Sequence, residues 1–76
     1  MKAHKQKNLR SIFAQNLRLY RLQKGLSQEG LAELAGLHRT YVSSVERCER
    51  NITLETVERL AEALDATPVD MLRDEK

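Results

Sequence analysis

The chain has 76 residues, with 13 Lys or Arg, 11 Asp or Glu, one cysteine and one proline. That length holds one small domain whose core leaves little spare stability, so a partner subunit or ligand would help it. A lone cysteine excludes an intrachain disulfide and a thiolate metal cage, no apolar run is long enough to span a bilayer, and a net charge of +2 says nothing about partners unless it is clustered.

The chain starts MKAHKQKNLR, which is basic but lacks the apolar core of a signal peptide. It reads as a soluble, cytoplasmic chain with a basic arm over residues 1–7. A first helix is expected over residues 8–24. Leu9, Phe13, Leu17 and Tyr20 fall on one stripe, while Ile12, Leu19 and Leu22 lie off it, on the surface or against another helix or subunit. Gly25 suits the helix stop. Ser27 caps a second helix, 28–35, with Leu31, Leu34 and Ala35 at helical spacing and Gly30 as a poor helix former. Gly36 ends it. A third helix, 39–47, turns Val42 and Val45 inward with Tyr41 at the boundary. Residues 48–52 form a loop. Thr53 then caps a fourth helix, 54–65, whose stripe is Leu54, Val57, Ala61 and Leu64. Thr67-Pro68-Val69-Asp70 starts a short fifth helix, 68–73, carrying Val69, Met71 and Leu72. The fold class is all-α, five helices with short connections.

Two short helices joined by a glycine turn, the second polar on one face, describe a helix-turn-helix. Ala32 suits a close crossing, Gly36 a left-handed turn, and Leu31, Ala35, Leu37, Val42 and Val45 the wedge between the helices. Thr40, Ser43, Ser44 and Arg47 share one face of the third helix by i, i+3, i+4 and i+7 spacing, with Arg39 at its start. The second helix of this motif enters the major groove with its N-terminal residues on base edges. Arg binds both acceptors of guanine and Thr meets the thymine methyl, so Arg39 and Thr40 are the leading candidates to read bases. Ser43 and Ser44 are candidates beside them, and Arg47 and Asn51 are candidates for phosphate or secondary contacts.

The strings RLQKGLSQEGLAELAGL and SVERCERNITLETVERLAEAL resemble the lambda-repressor-like helix-turn-helix superfamily. Within it, LHRTYVSSVERCERNITL is similar to the controller proteins of bacterial restriction–modification systems. The resemblance implies a five-helix DNA-binding domain. It implies a phosphate contact at Gln28, a base or phosphate contact at Arg50, and Tyr41 near the DNA, where a ring packed over the turn is the alternative. It also implies a buried ion pair, Arg21 with Glu46, tying the first helix to the third. His38 departs from the pattern, standing where a capping Ser or Asp is usual; either the cap is lost or the side chain turns to the DNA. Gly30 departs too, either weakening the helix or allowing closer approach to the DNA backbone.

The expected function is a sequence-specific transcriptional regulator that binds a palindromic operator in double-stranded DNA as a homodimer, because one reading helix sees too few base pairs. The resemblance places the dimer surface at Val69, Met71 and Leu72 with part of the fourth helix. A controller protein activates at one site and represses at another as it accumulates. Activation needs a face for RNA polymerase, for which the acidic Glu29 and Glu33 are candidates. Lys2, Lys5 and Lys7 are either an arm along the DNA backbone or free in solution. Alternatives are a phage-type repressor or an antitoxin, and, from another class, a protein-interaction module without DNA binding. No Gly-x-Ser-x-Gly turn, phosphate-cradling loop or metal spacing points to an enzyme or a cofactor.

Overall fold

The computed structural model describes residues 8–74; the basic arm, with Lys2, Lys5 and Lys7, lies outside them. The described residues form five α-helices: α1 (Leu9–Gln23), α2 (Gln28–Ala35), α3 (Arg39–Glu46), α4 (Leu54–Ala63) and α5 (Pro68–Leu72).

Side chains start four of these helices. Asn8 Oδ1 accepts from Ser11 N–H at 2.8 Å, Ser27 Oγ from Gly30 N–H at 2.8 Å, and Thr53 Oγ1 from Thr56 N–H at 3.1 Å. Thr67 and Asp70 exchange bonds in a full capping box, at 3.1 and 3.2 Å. Each bond satisfies an amide that the first helical turn leaves without a partner. His38 precedes α3, is exposed, and makes no capping bond.

The helix ends share one device. After α1, Leu26 N–H reaches Arg21 O across Gly25, and after α2, Leu37 N–H reaches Ala32 O across Gly36; both glycines sit at φ +71°. The same bond recurs after α3, from Glu49 N–H to Ser44 O across Cys48, and after α4, from Ala66 N–H to Ala61 O across Asp65. Cys48 (φ +62°) and Asp65 (φ +57°) take the left-handed conformation without the freedom of glycine.

The core gathers Phe13 and Leu17 from α1, Leu31, Ala32 and Ala35 from α2, Val42 and Val45 from α3, Val57, Leu60, Ala61 and Leu64 from the α4 region, and Met71 from α5. Several sequence expectations shift by one helical lane. On α1, Ile12 is buried along with Phe13, Ala14 and Leu17, while Leu9, in the first turn, is exposed. On α4, Leu60 is fully buried and Leu54 is 79% exposed, so the stripe is Val57, Leu60, Ala61 and Leu64. Leu34 also faces outward.

Asn16, a buried polar residue of α1, holds the C-terminal end of α5. Its amide donates to Met71 O at 2.8 Å and Arg73 O at 2.9 Å, satisfying carbonyls at the C-terminal end of α5. Arg21 Nε and Nη2 bind Glu46 Oε2 and Oε1 at 2.6 and 3.1 Å, with side chains 9% and 4% exposed. Arg21 Nη1 also donates to Leu26 O at 2.9 Å. This pair bolts α3 to α1 and thereby sets the angle of the polar face of α3.

Candidate nucleic-acid interface

The glycine turn between α2 and α3 holds the two helices as a unit. Ala32 is buried where they cross, and Leu37 packs against the core beneath the turn. Val42 and Val45 pin one side of α3 into the core, which leaves the opposite side open. Arg39 and Thr40 stand exposed on its first turn, beside exposed His38. Ser43 is half-buried and Arg47 is exposed at the far end. Arg47 Nη1 donates to Ser43 Oγ, and its Nη2 meets Glu49 at 3.1 Å. This hydrogen bond with Arg47 holds the Glu49 carboxyl below the usual range and raises Arg47 above its own.

Ser44 does not belong to the open face. It is 5% exposed, its hydroxyl donates to Tyr41 O at 2.8 Å, and it accepts from Arg50 Nε at 3.2 Å. The i+4 step from Thr40 carries it round the helix toward the core lane of Val45, so direct base readout by Ser44 is ruled out by burial. Tyr41 packs against the core, half-buried, and the Arg50 guanidinium lies over its ring, 5.5 Å from the centroid. Asn51 accepts from Arg10 Nη1 at 2.8 Å, which ties the loop after α3 to the first turn of α1.

Gln28, at the start of α2, donates its amide to Glu46 Oε1 at 3.0 Å. It therefore braces the buried ion pair from a second helix, a structural role that its resemblance-based reading as a phosphate contact omits. Gly30 lies in the first turn of α2, where an added Cβ would sit 3.2 Å from the capping Ser27 Oγ. Two arginines that the sequence reading passed over border this face. Arg10 reaches Asn51, and Arg18 lines, with Ser11, Gln15, Arg47 and Cys48, a groove of about 450 Å³ between α1 and the end of α3. Their helical positions show that they point outward; only the fold shows which loop they face.

The expected dimer surface is altered. Met71 is 0% exposed, an anchor of α5 in the core, and cannot form part of an interface. Val69 is exposed and Leu72 is half-buried. Leu72 lines a shallow apolar groove of about 220 Å³ with Leu9, Phe13, Ile52, Leu54 and Val57, rimmed by Arg10 and Asn51.

The helix-turn-helix family matches this chain over residues 17–72, from the middle of α1 to the end of α5. The chain belongs to the helix-turn-helix family. Control protein C.SmaI of Serratia marcescens is 52% identical to this helix-turn-helix protein over 65 residues, 86% of this chain and 77% of that one. Among solved structures, the hypothetical transcription factor NHTF from Neisseria gives a TM-score of 0.88 at 43% identity, covering 99% of this chain and 88% of its own. The restriction–modification controller protein C.Esp1396I, solved as a tetramer in complex with its natural 35 base-pair operator, gives 0.79 at 35% identity, over 87% of each chain. Restriction–modification control proteins are thus close homologues of this helix-turn-helix protein, and no helix among its described residues is long and apolar enough to cross a membrane.

Proposed function

We propose that this protein is the autoregulating controller of a restriction–modification system, a homodimer that recognises a palindromic operator through α3. The observation that carries the reading is the division of α3. Val42 and Val45 are buried and the Arg21–Glu46 pair fixes the helix, while Arg39 and Thr40 stand free at its N-terminal end. An α-helix held in that way presents its first turn to base edges in the major groove. Arg39 supplies the bidentate donor for guanine and Thr40 the contact to a thymine methyl. Ser43, Arg47, Arg50 and Asn51 flank them toward the phosphates or neighbouring bases, with Tyr41 supporting Arg50, His38 and Gln28 at the two helix starts, and Arg10 and Arg18 adding charge alongside.

A controller solved on its operator as a tetramer supports assembly of more than one copy on DNA. In this chain the groove of Leu9, Ile52, Leu54 and Leu72 offers an apolar surface to a second copy, and Val69 extends the exposed apolar area of α5. Two reading helices about 34 Å apart then face one side of the duplex. Selection from random duplexes tests the function. A single enriched palindrome, bound with an affinity that falls linearly in log–log salt plots, supports it. No enrichment at low salt refutes it and leaves a fold kept for protein contacts.

A further inference from the structure

Ser44, like Glu46, is a polar side chain of α3 that the reading face does not use, and its surroundings assign it a task. The hydroxyl has one proton, given to Tyr41 O, which orients its lone pairs away from the helix. One of them receives Arg50 Nε–H from the loop six residues on. The Tyr41 ring lies beneath the same guanidinium, within the range of a cation–π contact. Arg50 is therefore held at two points, by a buried oxygen at Nε and by an aromatic face.

We propose that Ser44 is a positioning residue that aims Arg50 at the DNA. This rests on the reading of Arg50 as a DNA contact. An arginine stem is long and loses rotamer freedom when it binds; a stem already fixed at Nε loses less at the moment of contact. The anchor also selects the mode of contact. A guanidinium can present either Nε with one Nη, or the two Nη groups together. With Nε given to Ser44, the pair Nη1 and Nη2 remains as the fork for guanine or for a phosphate.

The test uses Ser44→Ala, which keeps a good helix former in α3, with Ser44→Cys as a second variant of similar shape and poor acceptor strength. In the free protein, the Arg50 Nε–H signal should exchange with solvent severalfold faster in both variants than in the wild type. On the selected duplex, Ser44→Ala should weaken binding about 2- to 12-fold, the range for ordering one long side chain. In an Arg50→Ala background it should change nothing. Equal weakening in both backgrounds, or unchanged Nε–H exchange, would overturn the aiming role while leaving Arg50 as a DNA contact. An Arg50→Ala protein that binds as tightly as the wild type would overturn the reading of Arg50 itself, and the proposal with it.

Discussion

Glu46 shows how much of the site one side chain organises. It accepts twice from Arg21 of α1 and once from Gln28 of α2 while standing on α3, so three helices meet at one carboxylate. Removing either charge strands the other in a nearly closed environment and should cost about 3–5 kcal/mol. Denaturation of Arg21→Met, Glu46→Gln and the double variant should give a coupling of at least ~1 kcal/mol; additive losses would show that the pair does not act as a unit. Cys48 makes a second residue-scale case. It occupies the left-handed position that Gly25 and Gly36 occupy elsewhere, where a side chain is strained and only Asn or Asp eases the fit. Cys48→Gly should therefore stabilise the fold by about 0.5–1 kcal/mol. Asp65→Gly should gain less, because it also forfeits the 2.8 Å bond from Lys24. Thermal unfolding of the two variants decides the order.

At the scale of the helices, the ends govern stability. The Thr67 backbone N–H donates to Asp70, and with help from the Thr67 side chain and Arg73 this holds the Asp70 carboxyl below the usual range. A lowered folded pKa means stability that is complete above the ordinary aspartate value, about 3.9, and is lost as pH falls through the folded value. Asp65, lowered by its hydrogen bond from Lys24, and Glu49, lowered by that from Arg47, act in the same direction. Acid unfolding of Asp70→Asn should consequently be flatter below pH ~4 than that of the wild type, with the two curves parallel above it. These ends were also the most legible part of the sequence. Ser27, Thr53 and the Thr67–Asp70 box act through neighbours three residues away, so their chemistry can be read without the fold. Cys48 was not legible as a helix stop, because nothing in its side chain asks for the left-handed conformation, and Asp65 only weakly so, because aspartate tolerates that conformation without requiring it. Burial was harder still. Leu54 and Leu60 are equally apolar, and only the packing of α4 against α2 and α5 chooses between them. Ser44 and Thr40 are both small and hydroxylated, and a turn of about 40° around α3 puts one in the core and the other in solvent. The Arg21–Glu46 pair came from family resemblance, since two charges 25 positions apart carry no local sign of meeting.

For the whole molecule, the proposed homodimer has to bring two reading helices to one duplex. Among the large apolar side chains of the described residues, Leu54 is the most exposed to solvent, and it borders the groove of Leu9, Ile52 and Leu72. It also stands at the first position of α4, where an acid is favoured by the positive helix end. Leu54→Glu should thus leave the fold of one protomer intact while raising the dimer dissociation constant at least ~10-fold, the effect of about 1.4 kcal/mol at each interface. Sedimentation at several concentrations reads this directly, and an unchanged dimer would move the interface elsewhere. Because Asn51 and Arg10 rim the same groove, loss of the dimer should also weaken DNA binding more than the loss of one apolar contact explains.

The central claim is that the free first turn of α3 reads bases. Its most direct test is selection from random duplexes, run in parallel with the wild type and Arg39→Ala. The wild type should enrich one palindrome. Arg39→Ala should bind it about 1–3 kcal/mol more weakly and tolerate any base at one symmetric pair of positions while keeping the others. An Arg39→Ala profile that matches the wild type at every position would contradict the account.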